Sequence, residues 1–175
     1  LDGAVIDADS LTSSKIPTVR GQSEPNSRVR VTVDGFDSQT VHANSEGVWS
    51  ALIFGLNDGV HRVVASAIDQ AGNQGIASAP YQFTLDTSAP SAPGIDNIQP
   101  DGGSSDSDGI IGSDSIVVSG HAEPLSTLSV KLGSLGSSQI IVPNNGQWSI
   151  NFNQIPDGVY VLDANTIDVA GNLAS

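Results

Sequence analysis

The chain has 175 residues, with 19 Asp and Glu against 6 Lys and Arg, a formal charge of −13 and no Cys. Nucleic acids and anionic membrane surfaces are recognised through clustered cations, so both are poor partners for it. The missing thiols exclude disulfides and thiolate-bound zinc or iron–sulfur clusters, and no apolar run reaches the length of a membrane-spanning helix. Residues 1–14 are polar and acidic around Val5-Ile6, and read as the end of a first strand followed by a long loop. A second strand is expected over 16–21, then a turn at Gln22–Asn26 with Pro and Asn in their usual places. Val29, Val31 and Val33 alternate with Arg28, Arg30 and Thr32, the period-two pattern of a half-buried strand, which Asp34-Gly35 closes. Strands follow over 40–43, 48–53, 61–68 and 81–85, with turns at 44–47 and 56–59 and a loop over 69–75. That makes seven strands, with Trp49 as the core anchor.

The stretch from Leu85 to Gly94 carries Pro90 and Pro93. Each Pro fixes its own φ and pushes its predecessor toward extended geometry, so this reads as a stiff spacer. Beyond it the pattern begins again. Strands are expected over 95–98, 116–118, 128–132, 139–142, 148–152 and 159–167, with an acidic loop over 99–114. No closing strand is expected within the sequence for this second half.

Displaced by 99 residues, the sequence falls on itself without a gap. Trp49 meets Trp148, Glu24-Pro25 meets Glu123-Pro124, and Asp58-Gly59-Val60 meets Asp157-Gly158-Val159. Ala71-Gly72-Asn73 meets Ala170-Gly171-Asn172, with Asp69 on Asp168, and Asp7 and Asp9 meet Asp106 and Asp108. A period near 100 residues suits an immunoglobulin-like sandwich rather than a helical solenoid. The fold expected is all-β, two tandem immunoglobulin-like β-sandwiches arranged head to tail, over residues 1–86 and 87–175. The sequence begins and ends mid-pattern and has no visible signal peptide, as expected of a piece of a longer protein.

Seven alternating strands carry the chain in at one end of a domain and out at the other. The first-loop carboxylates Asp7 and Asp9 then belong to the end where the chain leaves the first domain, and Asp86 to the spacer. Glu123, Asp168 and Asn172 belong to the end where it enters the second. All six are expected at one joint. Such a cluster is repulsive without a cation, and calcium takes six to eight oxygens from carboxylates, Asn and backbone carbonyls. Zinc would call for His or Cys, and magnesium for more water. The D-x-D spacing at Asp7/Asp9 and Asp106/Asp108 also lets alternate carboxylates face one ion. Asp106-Ser-Asp108-Gly109 is no EF-hand, because no Glu closes a twelve-residue loop.

The combination of G-x-x-E-P-x-S at Gly21 and Gly120, G-x-W-S, D-G-V, D-x-A-G-N and D-T-S-A-P resembles the bacterial Ig-like repeats of giant type I-secreted adhesins, non-fimbrial adhesins above all. The resemblance implies tens of tandem domains, export to the bacterial surface, and calcium at domain junctions. Carried over residue by residue, it implicates Asp86, Asp168 and Asn172, with Asp69 and Asn73 serving a preceding joint. Lys15 stands where the second copy has Asp114, so a ligand role for Asp114 is not shared.

Other readings of these residues stay open. Asp and Asn form turns unaided, Glu24 and Glu123 could be simply solvated, and Asp58 and Asp157 read as turn residues rather than ligands. His61 aligns with Tyr160, which points to packing rather than catalysis. His42 and His121 have no His in the other copy, no G-x-S-x-G occurs, and an enzyme is not expected. The function expected is a calcium-stiffened stalk segment of an adhesin that acts as a monomer, touching neighbouring repeats and, through the full-length protein, a host receptor or glycan. The alternative is a module that itself binds the receptor or glycan through Phe36, Tyr81 or the 133–138 loop.

Overall fold

A computed structural model of the chain describes residues 10–100 and 109–174. It is all-β, and it divides into two compact units, Leu1–Ser88 and Ala89–Ser175.

In the first unit the strands are β1 (Leu11–Thr12), β2 (Thr18–Gln22), β3 (Arg28–Val33), β4 (Phe36–His42), β5 (Val48–Leu52), β6 (Gly59–Ile68) and β7 (Tyr81–Leu85). One sheet runs in the order β1-β7-β6-β3-β4, and β2 pairs with β5 in the other. Every pairing is antiparallel except β1 with β7, which is parallel. This agrees with seven strands alternating in direction, since the first and seventh then point the same way. Asp34 (φ 53°) and Gly35 (φ 85°) both take the left-handed conformation that a two-residue hairpin demands. The Val29, Val31, Val33 face of β3 is buried, and it packs with Trp49, Ala51, Ile53, Phe83 and Leu85 in one core.

The second unit has β8 (Gly94–Gln99), β9 (Ile116–His121), β10 (Thr127–Leu132), β11 (Gly136–Ile141), β12 (Gln147–Phe152), β13 (Leu162–Ile167) and β14 (Leu173–Ala174). Its sheets run β12-β9-β8 and β11-β10-β13-β14. Leu128, Val130, Val118, Val142, Ile150 and Trp148 form a separate core. Both tryptophans are buried as expected, each opposite a glycine of the neighbouring strand: Trp49 opposite Gly21, Trp148 opposite Gly120.

Several elements differ from the sequence reading. β1 lies in the stretch read as a long loop, and β11 starts at Gly136, ahead of the expected 139–142. β4 starts at Phe36, ahead of the expected 40–43, because the Asp-Gly hairpin brings it directly alongside β3 with a bulge opposite Val31 and Thr32. β13 starts at Leu162, and Val159 lies fully exposed outside it. The corresponding stretch of β6 is held by β7, whereas no described strand flanks 158–161. β14 is a short strand in the stretch after β13, paired through Thr166 with Ala174 and Ile167 with Leu173; it is the counterpart of the bridge between Ile68 and Gln74 in the first unit, not of the closing strand β7.

Candidate functional site

The ends of each unit carry the oxygen-rich residues. In the second unit Thr127 pairs with Ile167, so the β9–β10 turn with Glu123 and the β13–β14 loop with Asp168 and Asn172 share one end. Gly94 pairs with His121, which brings the chain in at that same end, and the Ser91 amide donates to Glu123 Oε2 at 3.4 Å. In the first unit Arg28 pairs with Ile68, which groups Glu24 with the Asp69–Asn73 loop. Gly59 and Thr12 both pair with Leu85, and the Asp86 amide donates to the Thr12 carbonyl at 2.9 Å, so Asp86 stands at the opposite end.

The two D-x-A-G-N loops have one geometry. The Asn172 amide donates to Asp168 Oδ1 at 2.8 Å and its Nδ2 to Oδ2 at 2.9 Å. Asn73 makes the same pair of bonds to Asp69, both at 2.8 Å. Backbone bonds close the loop, from the Asp amide to the Asn carbonyl at 3.0 Å in each copy. The Asn therefore fixes both oxygens of the Asp. The bonds from the Asn73 side chain and backbone hold the Asp69 carboxyl below its ordinary pKa. The backbone of Ala71 and Gly72 adds to these bonds at Asp69. These groups are hard oxygen donors without a thiolate or imidazole among them, which suits calcium by donor type. Among the described residues, no three of His, Cys, Asp and Glu come together as a metal-binding group. Asp7, Asp9, Asp106 and Asp108 lie outside the described residues.

Asp86 Oδ1 accepts the Ser88 amide at 3.1 Å, an Asx turn that starts the spacer. The sequence reading missed its companion. Asp58 accepts Thr87 N at 3.0 Å, Thr87 Oγ1 at 2.9 Å and Ser88 Oγ at 2.8 Å. Those bonds, from Ser88 first and then Thr87, hold the Asp58 carboxyl below its ordinary pKa. Asp58 is thus the anchor of the spacer's first residues rather than a turn residue alone. Its partners lie some thirty residues onward, so no local pattern betrays it; the only signal was that D-T-S directly follows a strand. His61 packs on Phe83 with ring centroids 5.5 Å apart. Its Nε2 bonds the Asn57 carbonyl at 2.8 Å, as Tyr160 OH bonds the Pro156 carbonyl at 2.8 Å, and both partners lie four residues upstream.

Strand order, parity and the paired end loops define a tandem array of immunoglobulin-like sandwiches. The chain belongs to the bacterial Ig-like domain family, whose model matches residues 1–87 and again 89–175. No curated protein matches it. Among solved structures it is similar to a 1.5-MDa bacterial ice-binding adhesin studied for host cell surface retention, at 19% identity and TM-score 0.44, over 92% of this chain and 55% of that one. It is also similar to the BSP domain of a biofilm-associated protein, at 18% identity and TM-score 0.36, over 94% and 26% of the two chains. A third is the Bacteroides ovatus mixed-linkage glucan protein SGBP-B in complex with a heptasaccharide, at 15% identity and TM-score 0.28, over 84% and 44%. The chain thus spans about half or less of the length of each.

Proposed function

We propose that this chain is a stalk segment of a giant secreted bacterial adhesin, stiffened by calcium, that serves attachment to host cells or surfaces. The observation that carries this reading is the repetition of a complete structural plan. Two bacterial Ig-like units 99 residues apart have separate cores and a Pro-rich spacer between them. Repeats in series give length in proportion to copy number. The residues that would hold calcium are Asp86, the Asp69/Asn73 and Asp168/Asn172 loops, Glu123, and the first-loop pairs Asp7/Asp9 and Asp106/Asp108. The ion would supply positive charge and rigid oxygen coordination where the acidic chain otherwise repels itself. Extracellular modules bind calcium at about 10⁻⁴–10⁻³ M, so such a stalk would be loaded outside a cell and loose inside it. Surface localisation, type I export, and the particular parallel with the non-fimbrial adhesin SiiE belong to the same proposal, resting on the D-T-S-A-P and D-x-A-G-N motifs.

A calorimetric calcium titration after chelation tests it. Saturable uptake of more than one ion in that concentration range is the expected result. No heat of binding up to about ten times that range would reduce the carboxylates to turn residues and surface charge.

A second reading has one observation in its favour. Phe36 is 79% exposed at the β3–β4 turn, an aromatic face of the kind a glycan could stack on. Binding on a glycan array that Phe36→Ala removes would promote that reading.

A further inference from the structure

The two units treat one edge of the sandwich differently. Among the described residues β4 ends its sheet in the first unit, and β11 ends its sheet in the second. The closing strand β7 adds beside β6, on the far side from β4, so the equivalent place in the second unit lies beside β13 and not beside β11. β4 carries devices that keep an edge from pairing. A bulge interrupts its register opposite Val31 and Thr32, Asp37 is ion-paired with Arg30, and the Gln39 side chain donates to the Leu52 carbonyl of β5. At the matching positions, 99 residues on, Arg30, Asp37 and Gln39 give way to Ser129, Gly136 and Ser138, and β11 pairs with β10 without a shift from Gly136 to Ile141.

Charge sets this edge apart as well. Residues 132–156, which hold β11 and β12, form the longest run of the sequence without a charged residue, whereas the matching 33–57 contains Asp34, Asp37 and Glu46. In a chain of formal charge −13, two copies meet least repulsion there. Beside β11 lies an open cleft of about 430 Å³ lined by Ile140, Ile141, Pro143, Gln147 and Trp148, and Ile141 is 70% exposed. The backbone phase is fixed by the Val142 amide, which donates to the Ser126 carbonyl at 2.9 Å. Even-numbered residues of β11 therefore bond β10, and the peptide groups of Ser137, Gln139 and Ile141 face outward.

We propose that β11 is an association edge whose occupant is β11 of a second copy of this chain, antiparallel about a two-fold axis with Gln139 opposite Gln139. Ser137 then lies opposite Ile141, and the outward amides of Ser137, Gln139 and Ile141 in each copy bond carbonyls of the other, which is strand addition in its self-complementary form. A strand without charge can face itself with no like charges opposed, and the acidic remainder of the chain keeps copies apart elsewhere. One edge buries little area, so the pairing is weak and reversible. The inference depends on neither calcium nor the stalk reading, and it puts a reversible dimer in place of the monomer expected from the sequence.

The test is sedimentation of the full chain in chelator and about 0.15 M salt, which screens its charge. A monomer–dimer equilibrium should emerge as the chain concentration rises to about 1 mM. In the amide spectrum the concentration-dependent shifts should centre on Ser137, Gln139 and Ile141. Gln139→Pro removes one outward amide from each copy and should dimerise at least about tenfold more weakly. Gln139→Lys and Gln139→Glu each set like charges opposite one another and should both sediment as monomers, while their equimolar mixture should pair. Thr40→Lys, the matching change in β4, should dimerise as the parent does. A parent that stays monomeric throughout, a Gln139→Lys variant that dimerises as the parent does, a mixture that stays monomeric, an equal loss in Thr40→Lys, or shifts centred on another edge would overturn the proposal. Should Gln139→Pro fail to fold, the mixture of Gln139→Lys and Gln139→Glu chains decides.

Discussion

At the scale of single residues, His61 is the group whose chemistry differs most between the two copies. Its Nδ1 lies 2.7 Å from Asp34 Oδ2 and its Nε2 2.8 Å from the Asn57 carbonyl. Both neighbours are acceptors, so only the doubly protonated ring satisfies both. Burial is the largest single influence and lowers its pKa. The bonds to Asp34 and Asn57, with the Asp34 charge, together outweigh it and leave His61 above its ordinary 6.5. Asp34 moves the other way, its carboxyl held low by the His61 bond and then by the Arg62 amide. A raised pKa in the folded state means that folding binds the proton more tightly. The His61 contribution is therefore complete below about pH 6.5 and fades as the pH rises through the folded value. Asp34 contributes above its ordinary 3.8 and fades as the pH falls through its lowered value. The first unit should thus be firmest between these limits and lose stability toward pH 8. His61→Tyr, which copies Tyr160, should abolish that alkaline loss while keeping the bond to the residue-57 carbonyl. Urea unfolding followed by Trp49 fluorescence at pH 6 and pH 8 reads both arms. An unchanged pH slope in the variant would refute the assignment.

At the scale of elements, the central strands carry the stability of each unit. Leu128 in β10 has no exposed surface and is surrounded by Val118, Val130, Val142 and Trp148. Leu128→Ala should cost about 2–5 kcal/mol by lost transfer and cavity formation. Because the cores are distinct, the Trp148 transition should move and the Trp49 transition should not, as measured by urea unfolding of single-tryptophan variants. These strands were also the legible ones. The Val29–Val31–Val33 alternation, the two tryptophans and the Asp-Gly hairpin each express a local rule that tertiary structure obeys. β4 was legible only in part, because Phe36, Asp37 and Ser38 are exposed and carry no apolar alternation. β13 was read too long because Val159 and Val161 look like strand residues, yet a strand there needs a neighbour to bond. In the candidate site, the repeated motif marked Asp69/Asn73 and Asp168/Asn172 as oxygen donors or turn formers, but not that each Asn bonds its Asp. The Asp58 anchor did not, because its bonds join segments distant in sequence.

At the scale of the whole molecule, the question is what 19 acidic residues against 6 basic ones do. An excess of like charge stabilises nothing by itself, and it disfavours the compact state through self-repulsion. Calcium would convert that liability into a dependence of stability on the ion. For a site with a dissociation constant of about 10⁻⁴–10⁻³ M, about 10 mM calcium adds roughly 1.4–2.7 kcal/mol per ion through mass action. Asp86 gives the cleanest variant. It is only half-buried and contributes to neither core, so in chelator Asp86→Ser should unfold within about 0.5 kcal/mol of the parent. In calcium the variant should lose the increment of one site, and calorimetry should count one ion fewer. Urea unfolding of parent and variant, with and without calcium, separates the two contributions. If both gain equally from calcium, Asp86 is a turn residue whose carboxylate serves the Ser88 amide, and the ion is held by the loops without it. If neither gains, the acidic surface acts by repulsion alone, and the stiffness of the proposed stalk would rest on its repeats and its proline spacer.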